Sequence, residues 1–174
     1  MLAGRQVPMH RPYLLAARRP AAHSAVLRSP VERRALRVSD PAVRAMTDFL
    51  SDPPLTVAED CTLSAALDDM FRSGVRALLV ARELAVVGLV TAEDMHDKAA
   101  QCVAECMTPA SRMPAIDWQT MLASRVADLL EIFEGAGVEH LVVLESESAS
   151  RARVRGLVHR SRVERRLHPP DDRF

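Results

Sequence analysis

The apolar positions of this chain fall into one pattern that occurs twice. The segment GVRALLV (Gly74 to Val80) followed by AVVGLVTAED (Ala85 to Asp94) has its counterpart in GVEHLVV (Gly137 to Val143) followed by VRGLVHRSR (Val154 to Arg162). An amphipathic stretch precedes each copy. In the first, Leu63, Ala66, Leu67, Met70 and Phe71 recur at the spacing of one buried helical face, with Thr62 placed to cap the helix and Gly74 to end it. In the second, a helix over Met121 to Phe133 carries Leu122, Val126, Leu129, Leu130 and Phe133 and stops at Gly135 and Gly137. The runs Val75 to Ala81, Ala85 to Val90, Val138 to Leu144 and Val154 to Val158 are almost continuously apolar, which predicts strands covered on both faces. Arg82-Glu83-Leu84 links the first pair tightly, and Glu145 to Arg153 predicts a polar surface loop in the second. Shorter strands are expected at Pro54 to Val57 and Met113 to Ile116, the latter at a sheet edge because of Pro114. Helices are expected at Asp40-Pro41 onward, with Val43, Met46 and Phe49 inward, then over Ala92 to Ala104 and over Arg160 to Leu167. A duplicated order of helix, strand, strand and helix implies two half-domains that bury their faces against each other and leave a cleft between them.

Composition narrows this picture. With 174 residues, 48% of them hydrophobic, the chain is long enough for a sizeable core in one domain of two repeats. Its net charge of zero gives no general pull toward nucleic acid, but the charge is unevenly spread: nine arginines against Glu32 and Asp40 up to Arg44, and another Arg-rich stretch near the end. No apolar run reaches the roughly 18–20 residues of a membrane helix. Cys61, Cys102 and Cys106 leave one thiol over in any disulfide scheme, so a reducing, cytoplasmic setting is expected. Residues 1–37 read as a basic, irregular and poorly ordered leader. They lack the apolar core of a secretory signal, and their Arg-rich, acid-poor composition is one they share with transit peptides. The organisation expected is leader 1–37, first repeat 38–102, second repeat 103–168 and tail 169–174.

Gly88-Leu89-Val90-Thr91-Ala92-Glu93-Asp94 is a glycine, two apolar residues, a threonine, two variable residues and an aspartate, and Met107-Thr108-Pro109 and Met46-Thr47-Asp48 stand ahead of the two repeats. In these features residues 43–167 resemble the paired cystathionine beta-synthase (CBS) domain, the Bateman module. The resemblance implies an α/β (α+β) fold of two βαββα repeats related by a pseudo-twofold axis. It also implies a stand-alone regulatory module, not an enzyme, commonly a homodimer acting on an unknown regulated protein. An adenine nucleotide of the AMP, ADP or ATP type would be its regulatory ligand, with no cofactor required. Thr91 and Asp94 would hold phosphate and ribose, beside backbone N–H groups freed after Gly88, since a carboxylate accepts well from vicinal hydroxyls. Leu55 and Val57 would line the adenine, and Arg76 and His140 would contact phosphate. The plainer reading of Thr91 and Asp94 is a helix start, with the threonine as cap and the acid countering the dipole. In the second copy, Gly156, His159 and Arg162 form a degenerate site: Arg162 stands where the aspartate would be and has no acceptor to offer a ribose.

Other chemistries find less support. His96, Cys102 and Cys106 lack the fourth ligand of a tetrahedral zinc site, so no metal is expected. No nucleophile elbow or thiol-protease signature occurs, and the adjacent acids Asp68-Asp69 and Glu93-Asp94 point to different sides of a helix. Arg18-Arg19, Arg33-Arg34 and Arg165-Arg166 suggest nucleic acid, but aromatic residues to interleave with them are scarce, and solvated basic tails are preferred. The alternatives kept are a ligand-free interaction module and a nucleic-acid-binding module using the Arg-rich tails.

Overall fold

The computed structural model describes residues 13–15, 35–96, 100–148 and 151–169. Arg18-Arg19, Arg33-Arg34 and residues 170–174 lie outside the described residues. The first repeat runs through β3 (Thr56–Val57), α1 (Leu63–Ser73), β4 (Ala77–Arg82) and β5 (Ala85–Thr91), followed by α2 (Val103–Cys106) and β6 (Thr108–Pro109). The second comprises β7 (Ala115–Asp117), α3 (Trp118–Ala123), α4 (Val126–Ala136), β8 (His140–Ser148), β9 (Arg151–His159) and α5 (Arg160–Leu167). Thr62 accepts from Ala65 N–H at the start of α1, and Gly74 and Gly137 end α1 and α4 in the left-handed conformation, φ 62° in both.

Each repeat contributes three strands to a group of four, and each group takes its fourth strand from the segment leading into the other repeat. β2 (Thr47–Asp48) pairs with β9, and β6 pairs with β5. The cores follow the same exchange. Leu36, Ala42 and Ala45 pack with Leu129, Phe133, Val158 and Val163 of the second half, whereas Val103 packs with Val57, Met70 and Val90 of the first. A third cluster joins the halves, with Leu79 and Leu89 meeting Val142, Leu144 and Val154, which is the mutual burial the duplicated pattern implies. Within the segment read as an irregular leader, β1 (Tyr13–Leu15) pairs antiparallel with β5 and parallel with β9, joining the two groups.

The exchanged strand β2 is clamped. Arg155 on β9 makes two hydrogen bonds to Asp48, at 2.9 and 2.8 Å, and its guanidinium lies 4.5 Å from the centre of the Trp118 ring. This hydrogen bonding holds the Asp48 carboxyl below the usual carboxylate range. Arg155→Ala removes two charge-assisted bonds and a stacking contact and is expected to cost about 2 kcal/mol in chemical denaturation.

Several local expectations are corrected. The single helix over Met121 to Phe133 is two helices, because Ser124 is extended and the chain entering from residues 38–40 supplies carbonyls to Val126 and Ala127 N–H. The Glu145 to Arg153 loop is instead strand, with β8 and β9 pairing out to Ser148 and Arg151. The helix over Ala92 to Ala104 is replaced by a 3-10 turn at Asp94–His96 and the short α2, with residues 97–99 outside the described set. On α1, Ala66 and Met70 are buried while Leu67 and Phe71 face outward, Phe71 at 88% exposure.

Candidate functional site

The ends of the two central hairpins meet where the repeats abut. In the first half, Ala77 on β4 pairs with Thr91 on β5; the equivalent pair in the second half is His140 with His159. Arg76 O accepts from Ala92 N–H, as Glu139 O accepts from Arg160 N–H, so both junctions share one backbone geometry. Arg76, Thr91, Ala92 and Glu93 from the first half and Glu139, His140 and His159 from the second line a common cleft. Its interior offers about 10 Å³, room for roughly one water molecule, and it is partly open to solvent.

Thr91 and Asp94 engage each other. Thr91 N–H and Thr91 Oγ1 both donate to Asp94 Oδ2 at 2.8 Å, and Asp94 N–H donates to Thr91 Oγ1 at 3.2 Å. This reciprocal lock starts the turn at Asp94–His96, the helix-start arrangement in miniature. In the second half Arg162 replaces the aspartate and donates instead to Thr47 Oγ1 at 2.9 Å, reaching the exchanged strand β2.

The glycines of the two motifs lie within strands, not at their ends. Gly88 faces Pro109 across β5 and β6, and a Cβ there would come within 2.7 Å of Met107 Sδ and 2.9 Å of Thr108 O. Gly156 faces Asp48, and a Cβ there would meet Thr47 O at 2.5 Å and Met46 Sδ at 2.9 Å. The absent side chains therefore admit the Met-Thr strand of the opposite repeat. The backbone N–H groups expected to be freed after Gly88 lie within β5, which continues to Thr91.

The electrostatics centre on the histidines. Their rings stand edge to face with centroids 4.2 Å apart, and His140 Nε2 is buried with no hydrogen-bond partner among the described residues. Burial, with His159 and Arg76 nearby, lowers the His140 pKa to about 4. His159 is lowered too, by burial first and then by Arg76 and Arg162, with Glu93 opposing. The fold thus accommodates neutral His140. Its contribution to stability is complete above the unfolded value near 6.5 and lost as pH falls from there to about 4. Thermal denaturation midpoints are expected to drop over that window, with a shallower slope in His140→Ala, which carries the residue found at the equivalent position of the first half.

Arg76, Thr91, His140 and His159 are thus brought together, with Asp94 behind Thr91. Leu55 lies exposed beside β3, Val57 is buried in the core of the first half, and neither lines the cleft. Glu93 and Glu139 do line it and were not singled out from sequence. Glu139 could have been found, because it occupies the register of Arg76 in the second copy. Among the described residues no group of three or more His, Cys, Asp or Glu could hold a metal ion, and no helix is long and apolar enough to cross a membrane.

Residues 45–100 match the CBS domain family model. No curated protein matches the sequence. Three solved structures are similar in fold. The CBS domain of the bacterial CNNM/CorC family Mg²⁺ transporter in complex with ATP aligns with TM-score 0.56 at 18% identity, over 75% of this chain and 88% of its own. A putative signal-transduction protein with CBS domains from Burkholderia ambifaria gives 0.51 at 21%, over 70% and 86%. CBSX2 in complex with AMP gives 0.54 at 17%, over 72% and 94%. At these identities the likeness is one of fold, and it extends over both halves. The chain thus matches the CBS domain over residues 45–100 and carries the fold seen in CBS-domain proteins.

Proposed function

We propose that the chain is a regulatory module that takes an adenine nucleotide in the cleft between its repeats and signals occupancy by moving the halves relative to each other. The observation that carries this reading is the cleft itself: Arg76, Thr91, His140 and His159 converge on it from both repeats, and it would widen to seat a whole nucleotide. A ligand that binds only the opened arrangement shifts the population toward it, which is all a switch requires. Asp94 would exchange its bonds to Thr91 for ribose hydroxyls, and Arg76 would meet phosphate. The AMP and ATP named for two similar structures supply the ligand class. Residues 38–102 and 103–168 would be the two repeats, and the protein would act in the cytoplasm on a partner protein without catalysis. Assembly as a homodimer is supported by Leu67 and Phe71, which α1 presents outward one turn apart.

A thermal-shift titration with AMP, ADP, ATP and GTP, with mass followed by light scattering, tests this. Saturable stabilisation by one adenine nucleotide is expected. Asp94→Ala should abolish it and cost about 1 kcal/mol through the lost cap. Asp94→Asn keeps an acceptor for Thr91, so it should fold normally while weakening binding about tenfold or more, a loss of about 1.4 kcal/mol. The absence of any shift at millimolar nucleotide would sink the reading and leave the ligand-free interaction module.

A further inference from the structure

We infer that His140 and His159 couple occupation of this cleft by a phosphate-bearing ligand to proton uptake, so that the module reads pH together with its ligand. The inference rests on the cleft taking such a ligand and adds how that binding is regulated. The two rings form a cross-strand pair at the ends of β8 and β9, 4.2 Å apart, where the first half has only Ala77 and Thr91. His140 enters this arrangement with an unused buried nitrogen, Nε2. Charged groups surround the pair on every side. Arg76 comes from the bend before β4 and Glu93 from the turn after β5, while Glu139 precedes β8 and lies 3.9 Å from Arg160. Arg162 and Arg165 act on His159 from α5, where Ser161 Oγ also lies 3.3 Å from His159 Nδ1.

Without a ligand, burial first, and then His159 and Arg76, keep the proton off His140. An anion drawn in by Arg76 reverses that balance. A neutral imidazole offers it at most one N–H and no charge, whereas an imidazolium formed by taking a proton from water offers a charged donor, and the anion's negative charge favours the second state. Binding and protonation therefore reinforce each other by linkage. Glu93 acts in the same sense on His159, since its carboxylate favours an added proton there.

The test follows the histidine ring resonances of the full chain by NMR between about pH 3.5 and 8, alone and saturated with AMP or ATP. Calorimetry in two buffers of different ionisation heat then compares wild type with His140→Asn. The His140 titration is expected to move up by at least about one pH unit on binding, with affinity rising by up to tenfold per unit fall in pH inside that window. Wild type should take up more protons than the variant, a comparison that subtracts the ligand's own phosphate titration. Binding that leaves the His140 titration in place, with equal proton uptake in both proteins, overturns the inference and leaves the nucleotide reading standing. No binding of AMP or ATP at any pH from 5 to 8 overturns both. Should His140→Asn fail to fold, the NMR titration of wild type alone decides.

Discussion

Phe133→Ala is expected to cost about 3–5 kcal/mol, the range for truncating a fully buried aromatic side chain, and to shift the denaturation midpoint more than any other single truncation considered. Phe133 has no exposure and sits on α4 in one cluster with Val126, Leu129, Leu141 and Val158. Leu36, Ala42 and Ala45, from the segment ahead of the first repeat, pack into the same cluster. The cavity would therefore open where the exchanged segment docks. Hydrogen exchange should show the residues near Leu36 and β2 losing protection together with α4, at a lower free energy than β4 and β5. Equal loss of protection in β4 and β5 would mean that the two halves unfold as one unit, and that the exchange couples them more tightly than the separate clusters imply.

Gly156→Ala should be the next most damaging change, at about 3 kcal/mol, because the added methyl meets backbone: Thr47 O lies 2.5 Å from the required Cβ position. Either β2 moves away from β9, which pulls on the Asp48 to Arg155 clamp, or β9 distorts. Gly88→Ala is the control. Its nearest obstacle is the flexible end of Met107, with Thr108 O farther at 2.9 Å, so a smaller loss is expected. The comparison is read from denaturant midpoints of the two variants. Equal losses would mean that the methionines, and not the exchanged backbones, set the packing limit.

Much of this was legible in the sequence because the repeat makes each half a check on the other. Thr62, Gly74 and Gly137 marked helix limits by local chemistry, and the paired apolar runs marked the strands whose far ends shape the cleft. The same register brought Arg76, Thr91, His140 and His159 to one place. What escaped has physical reasons. The break between α3 and α4 depends on carbonyls of residues 38 and 40, which lie far away along the chain. The outer pairing of β8 with β9 joins polar residues such as Glu145 and Arg153, which carry no apolar signature. Helical spacing alone could not tell the buried pair Ala66 and Met70 from the outward pair Leu67 and Phe71, because both recur every fourth residue. The motif glycine suggested a phosphate seat, whereas its neighbours show a strand crossing from the other repeat.

The exchange of β2 and β6 means that a copy of the sequence repeat is not a piece that can be cut out whole. A fragment ending at residue 102 would keep Thr47 and Asp48 but lack β9, which they cover, and its own β5 would have lost Thr108 and Pro109. The complementary fragment would carry β6 with nothing to lie on. Each would present an unpaired strand edge matched to the other, so mixing the two supplies every missing partner. The boundary of the sequence repeat and the boundary between the two groups of paired strands are therefore different lines, offset by one strand on each side.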